Sequence, residues 1–69
     1  MLEVIAAEPG ITTGLLATRL GLSAPSTSEH ATVLRQAGLV DSRRYRNTVR
    51  HTVTALGRAM LDHAGLTAP

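Results

Sequence analysis

Sixty-nine residues allow a single domain, and a chain this short buries only about 60% of the surface it exposes when unfolded. It contains no Cys, Phe or Trp, which excludes disulfides and thiolate metal sites and leaves Leu, Val, Ile, Ala and Met to build the core. The net charge is +2, every one of the seven basic residues is Arg, and no apolar run or leader pattern suits a membrane span or a signal peptide, so a cytoplasmic location is expected.

Taken in chain order, "LEVIAA" (residues 2 to 7) places Leu2, Ile5 and Ala6 on one face of a short helix. Pro9-Gly10 stops it. Thr12 is the expected N-cap of a second helix that buries Leu16, Ala17 and Leu20, and Gly21 suits its left-handed end. Ser23 is the next N-cap, and Pro25 falls in the first turn, where a missing N–H costs little. Thr27, Ala31, Leu34 and Ala37 follow the i, i+4, i+7 rhythm of a buried face. Gly38 ends this helix, and Leu39 can fold back onto Leu34.

After Gly38 the period changes. "LVDSRRYRNTVRHTV" is β-branched and alternating, and predicts two strands, 39 to 44 and 48 to 53. Tyr45, Arg46 and Asn47 connect them, and Asn47 is the residue expected to take a positive φ. Thr54 caps a last helix with Leu56, Met60 and Leu61 facing inward, and Gly65 and Pro69 end the chain. The expected division is a domain over 1–64 and a C-terminal tail over 65–69.

Four of the Arg residues fall between 43 and 50, as Arg43, Arg44, Arg46 and Arg50, with no acidic residue in that window. Such a cluster suits a polyanionic partner, or else a hairpin charged for solubility. The predicted fold is mainly α with a small β-hairpin, a winged helix-turn-helix in the order α-α-α-β-β-α. In that arrangement the 23–37 helix is the element that approaches DNA. Short side chains at its start (Ser23, Ala24, Pro25, Ser26 and Ser28) allow a close approach to base edges and phosphates. The bland alternative is an ordinary capped helix with a polar face.

The stretches "LATRLGLSAPSTSEH", "VLRQAGLV" and "VTALGRAML" together resemble the winged helix-turn-helix of the ArsR family of bacterial transcriptional regulators, from about Leu2 to Ala64. The resemblance implies sequence-specific binding of double-stranded DNA, usually by a homodimer that represses transcription. The 23–37 helix would then lie in the major groove, and the 44–48 wing on the minor groove or backbone. The expected DNA-binding residues are Ser23, Ala24, Pro25, Ser26, Ser28, Glu29, Thr32, Arg35, Arg43, Arg44, Arg46, Asn47 and Arg50.

Some positions depart from the family pattern. Glu29 stands where a donor is common; it either accepts from a cytosine amino group, pairs with an Arg, or faces solvent unpartnered. Thr32 replaces a frequent Lys. Thr27 replaces Val, and its hydroxyl can bond back to the Ser23 carbonyl. Leu15 stands where acidic residues are usual. The wing turn "YRN" lacks Gly and puts Arg46 at the tip, where a narrow minor groove is most negative. Metal-sensing residues are missing: His30, His51 and His63 are dispersed, His30 matches a position usually half-buried against the helix pair, and the adjacent Asp62 and His63 point in different directions on a helix. No metal and no cofactor is expected.

An enzyme is not expected, since no nucleophile–base pair or Gly-rich phosphate loop is present. The alternative function is a winged-helix docking module that uses the apolar Leu2 and Leu15 without direct DNA readout. The chain is short for the family, which fits a DNA-binding domain cut from a longer regulator, or a minimal free-standing one.

Overall fold

The computed structural model describes residues 1–67, with side chains described through residue 63. Its elements are α1 (Leu2–Ala7), β1 (Ile11–Thr12), α2 (Thr13–Leu20), α3 (Ala24–Gln36), β2 (Val40–Tyr45), β3 (Thr48–Val53) and α4 (Ala55–Thr67). The three strands form one antiparallel sheet in the order β1-β3-β2. This is a winged helix: α2, a turn and α3, followed by the β2–β3 hairpin as the wing.

The local signals act where the sequence puts them. Thr12 Oγ1 accepts from the Leu15 amide at 3.2 Å, and Ser23 Oγ accepts from the Ser26 amide at 3.2 Å, so each hydroxyl satisfies a donor left free at a helix start. Gly21 ends α2 with φ 67°, and the Leu22 amide returns to the Ala17 carbonyl at 3.0 Å. Gly38 has φ 79°, and the Leu39 amide returns to the Leu34 carbonyl at 2.9 Å. Both helix ends use the left-handed residue that a side chain with a Cβ adopts at a cost.

The core is Ile5, Ile11, Leu16 and Val40, with Ala17 and Ala31 also buried, and Met1, Leu2, Val4, Leu20, Leu34 and Val53 packed around it. Leu2 is thus part of the core's edge rather than an outward docking residue. Gly57 locks α4 down: a Cβ there would run into the Leu39 carbonyl and the Val53 side chain. Thr54 completes the lock, donating to the Gly38 carbonyl at 2.6 Å and accepting from the Gly57 amide at 3.1 Å.

Several expectations need correction. A third strand, β1, lies between the first two helices; two residues are too few for a period-2 pattern, and its partner is some 40 positions away (Ile11 opposite His51). The wing strands begin and end at Val40, Tyr45, Thr48 and Val53, so the connection shrinks to Arg46-Asn47. Positive φ falls on Arg46 (57°), not Asn47, because the register pairs Tyr45 directly with Thr48. Ala37 is exposed, lying at the end of α3 beyond the residues it could pack on. Leu56 and Met60 are 53% and 52% exposed, so of the three residues expected to face inward on α4 only Leu61 is half-buried. The last helix also runs through Gly65 to Thr67, into the stretch expected to be a tail.

Candidate nucleic-acid interface

The exposed side of α3 sorts into stripes by helical spacing. Pro25, Ser28, Thr32 and Arg35 share one stripe, and Glu29 and Gln36 lie beside it. On the opposite side Thr27 and Ala31 are buried, so the helix sits on α2 with these short residues down. The Thr27 hydroxyl donates to the Ser23 carbonyl at 2.9 Å, as the sequence predicts, and Thr32 donates to the Ser28 carbonyl at 2.9 Å. These bonds satisfy the hydroxyl protons within the helix and leave oxygen lone pairs free.

Of the α3 candidates, Ser23, Ala24, Pro25, Ser28, Glu29 and Arg35 are exposed, while Ser26 and Thr32 are half-buried. Ser26 lies on a different stripe from Ser28, with His30 and Val33, so the structure does not bring the two serines together. That stripe borders an open apolar groove of ≈ 350 Å³ lined by Met1, Leu20, Leu22, His30, Val33 and Leu34. His30, on the lining of this open groove, is exposed rather than half-buried. Glu29 makes no ion pair or hydrogen bond among the described residues, which leaves it free of any Arg partner.

The wing carries the positive charge. Arg43, Arg44, Arg46, Asn47 and Arg50 are all exposed. Pleating divides them: Arg43 and Arg50 stand directly opposite each other on one face, whereas Arg44 is opposite Val49 on the other. A directly opposed pair of like charges destabilises a hairpin by itself. Two groups moderate it. Asp41 accepts from Arg43 Nε at 2.9 Å and holds that guanidinium's pKa above its ordinary value through the hydrogen bond and the opposite charge. Tyr45, diagonal to Arg50, offers its ring to the Arg50 guanidinium at 4.9 Å and to that of Arg46 at 5.7 Å. Among the described residues Arg43 is therefore the wing arginine tied to an acid, and Arg44, Arg46 and Arg50 are the wing cations without an acidic partner.

Sequence reasoning missed the residue that ties the wing down. His51 is 3% exposed. Its Nδ1 is 2.9 Å from Ser42 Oγ on β2, and its Nε2 is 2.7 Å from Thr13 Oγ1 at the start of α2. The signal was present: His51 alternates with Val49 and Val53, so a period-2 reading places it on the inner face. Burial, and secondarily the positive charge of Arg35, push its pKa below the usual histidine value. Tyr45 was also passed over as a connector, although it is the only aromatic in the chain and sits between arginines. Among the described residues no group of three or more His, Asp or Glu is placed to hold a metal, and no helix is long and apolar enough to cross a membrane.

A family model described as "MarR family" matches residues 1–50, which takes in α1, the helix-turn-helix and most of the wing. The chain belongs to the MarR family. Similar solved structures agree with the fold. The PcaV transcriptional regulator of Streptomyces coelicolor, solved with its natural ligand, is 25% identical over 94% of this chain and 48% of its own, with a TM-score of 0.86. HlyU of Vibrio cholerae is 30% identical over 99% of this chain and 73% of its own, with a TM-score of 0.79. NolR of Sinorhizobium fredii is 28% identical over 91% and 62%, with a TM-score of 0.75. No curated relative matches in sequence. The chain spans about half the length of PcaV. The match to the MarR family, rather than to the ArsR family that the sequence resembles, reflects their common winged helix-turn-helix: the quoted motifs lie mostly in α2, the turn and α3, which that fold shares.

Proposed function

We propose that this chain is the DNA-binding unit of a transcriptional regulator and that it reads double-stranded DNA with α3 in the major groove and the wing on the minor groove or backbone. The observation that carries the reading is the wing's charge arrangement. Arg43 and Arg50 oppose each other, Arg46 occupies the turn, and the Tyr45 ring contacts the Arg46 and Arg50 guanidiniums beside them. A hairpin that holds like charges this close gains most from a polyanion. The Pro25, Ser28, Thr32 and Arg35 stripe supplies short side chains and one long donor for base edges. Glu29 beside it is exposed and has no ion-pair partner among the described residues, which suits its carboxylate to accept from a cytosine amino group. Repression, work as a homodimer and the finer ArsR-like assignment belong to the same reading, and their support is the resemblance of the three sequence motifs; action in the cytoplasm follows from the proposed role on DNA.

Fluorescence anisotropy with a mixed-sequence duplex at two salt concentrations tests it. Binding that weakens steeply with salt is expected, with a log–log slope of about −0.9 for each phosphate neutralised. Absence of binding at low salt by the folded chain would sink the reading in favour of a docking module. A palindromic duplex with half-sites about one helical turn apart should bind two chains, which sedimentation would count.

A further inference from the structure

The His51 cluster has no place in base or phosphate contact, since the imidazole is enclosed. It nevertheless joins three elements that the proposed function requires to act together. Ser42 lies on β2, His51 on β3 and Thr13 on the first turn of α2. Both ring nitrogens are engaged, so the ring has no freedom to turn without losing a partner. Backbone bonds reinforce the link: Ile11 pairs with His51, and the Gly10 amide donates to the His51 carbonyl at 2.9 Å. No buried side-chain polar atom is left without a partner among the described residues, so the cluster is complete as it stands.

We propose that His51 is a positioning residue that fixes the angle between the wing and the helix-turn-helix, so that the wing tip and α3 engage one duplex at the same time. The inference rests on the DNA-binding reading above. A two-stranded ribbon alone is a weak, twistable element. Beyond the pairing with β1 and the packing of Val40 and Val53 with Leu16 in the core, this bridge is the side-chain hydrogen-bond link between the wing and α2 among the described residues. In a neutral ring one nitrogen donates to a hydroxyl and the other accepts from a hydroxyl, a pattern that Ser42 and Thr13 both satisfy because a hydroxyl can do either. Loss of either hydroxyl leaves a buried ring nitrogen unpaired and frees the ring to tilt.

The test is a double-mutant cycle read by DNA affinity. In the unmodified chain Arg46→Ala should weaken binding on the order of tenfold at moderate salt. In a Ser42→Ala or Thr13→Val background, Arg46→Ala should cost about threefold less than that, since the wing tip is already misplaced. The effect of Ser28→Ala, on α3, should be the same in either background. Ser42→Thr should restore the coupling. These milder variants keep the ring in the core, so the answer does not depend on whether His51→Ala folds. Equal losses from Arg46→Ala in both backgrounds, with both proteins folded by circular dichroism, would overturn the positioning role while leaving DNA binding intact. Failure of the unmodified chain to bind any duplex would overturn the DNA-binding reading, and this inference with it.

Discussion

In α3 the hydroxyls bond back to their own helix: Ser23 caps it, Thr27 returns to Ser23 and Thr32 to Ser28. In the wing, Ser42 bonds across the hairpin to His51, which bonds on to α2. Helix α3 is thus a locally specified element that presents a mostly small, neutral surface. The wing is specified by residues far apart in sequence and presents a concentrated positive one. The difference teaches how the two would fail. Damage to α3 should act within a turn or two, whereas damage to the wing's anchor should move a whole charged surface at once.

The largest expected effect is at that anchor. His51→Ala should destabilise the chain by about 2–3 kcal/mol, because it opens a cavity and leaves Ser42 and Thr13 without their shared partner; urea unfolding measures it. The same residue sets a pH dependence. Its folded pKa lies below the ordinary value of 6.5, with burial the main cause and Arg35 of α3 the second. Its other neighbours, Ile11, Thr13 and Ser42, carry no charge. Below pH 6.5 the unfolded chain therefore binds the proton more readily than the folded one. Stability from this group is complete above that pH and is lost as the pH falls toward the folded pKa. Thermal unfolding of a His51→Gln variant should show a weaker loss over the same window.

At α3, Ser23→Ala should cost about 1 kcal/mol through the lost cap, and Ser23→Gly only a few tenths. Equal losses from the two would show that the hydroxyl does not cap. At the wing tip, Arg46→Gly separates charge from conformation. Glycine removes the left-handed strain at φ 57°, a gain of up to about 1 kcal/mol, yet DNA binding should weaken and the salt slope fall by about 0.9. Hairpin stability and DNA affinity that fall together would mean Arg46 matters to the fold and not to the duplex. The smallest effect is expected from Asp41→Asn, which releases Arg43 from its ion pair. Anisotropy should show a modest gain in DNA affinity; a loss would mean that Asp41 aims Arg43 rather than occupying it.

Elements whose information lies within one turn were legible in the sequence. The caps at Thr12, Ser23 and Thr54, the left-handed Gly21 and Gly38, and the Thr27 back-bond are all set by residues at most five positions apart. β1 was not legible, because a two-residue strand exists only through its partner. The outward turn of Leu56 and Met60 was not either: their spacing suits a buried face, but the described chain leaves about half of each side chain uncovered. Among the site residues, the Arg cluster was plain from composition, but its division by the pleat depended on a register that the two-residue connection fixes.

By itself, then, the sequence determined the helices, the caps and glycine ends of α2 and α3, the presence of a basic hairpin and the short side chains on α3, since each follows from propensity, capping chemistry or period. Only the tertiary structure decided that Arg43 faces Arg50, that Glu29 has no Arg partner among the described residues, and that a histidine from β3 closes on Ser42 and Thr13. Those outcomes depend on register and on contacts between residues as far as 38 positions apart. No local preference encodes such contacts, and they form only once the core of Ile5, Ile11, Leu16 and Val40 has brought the elements together.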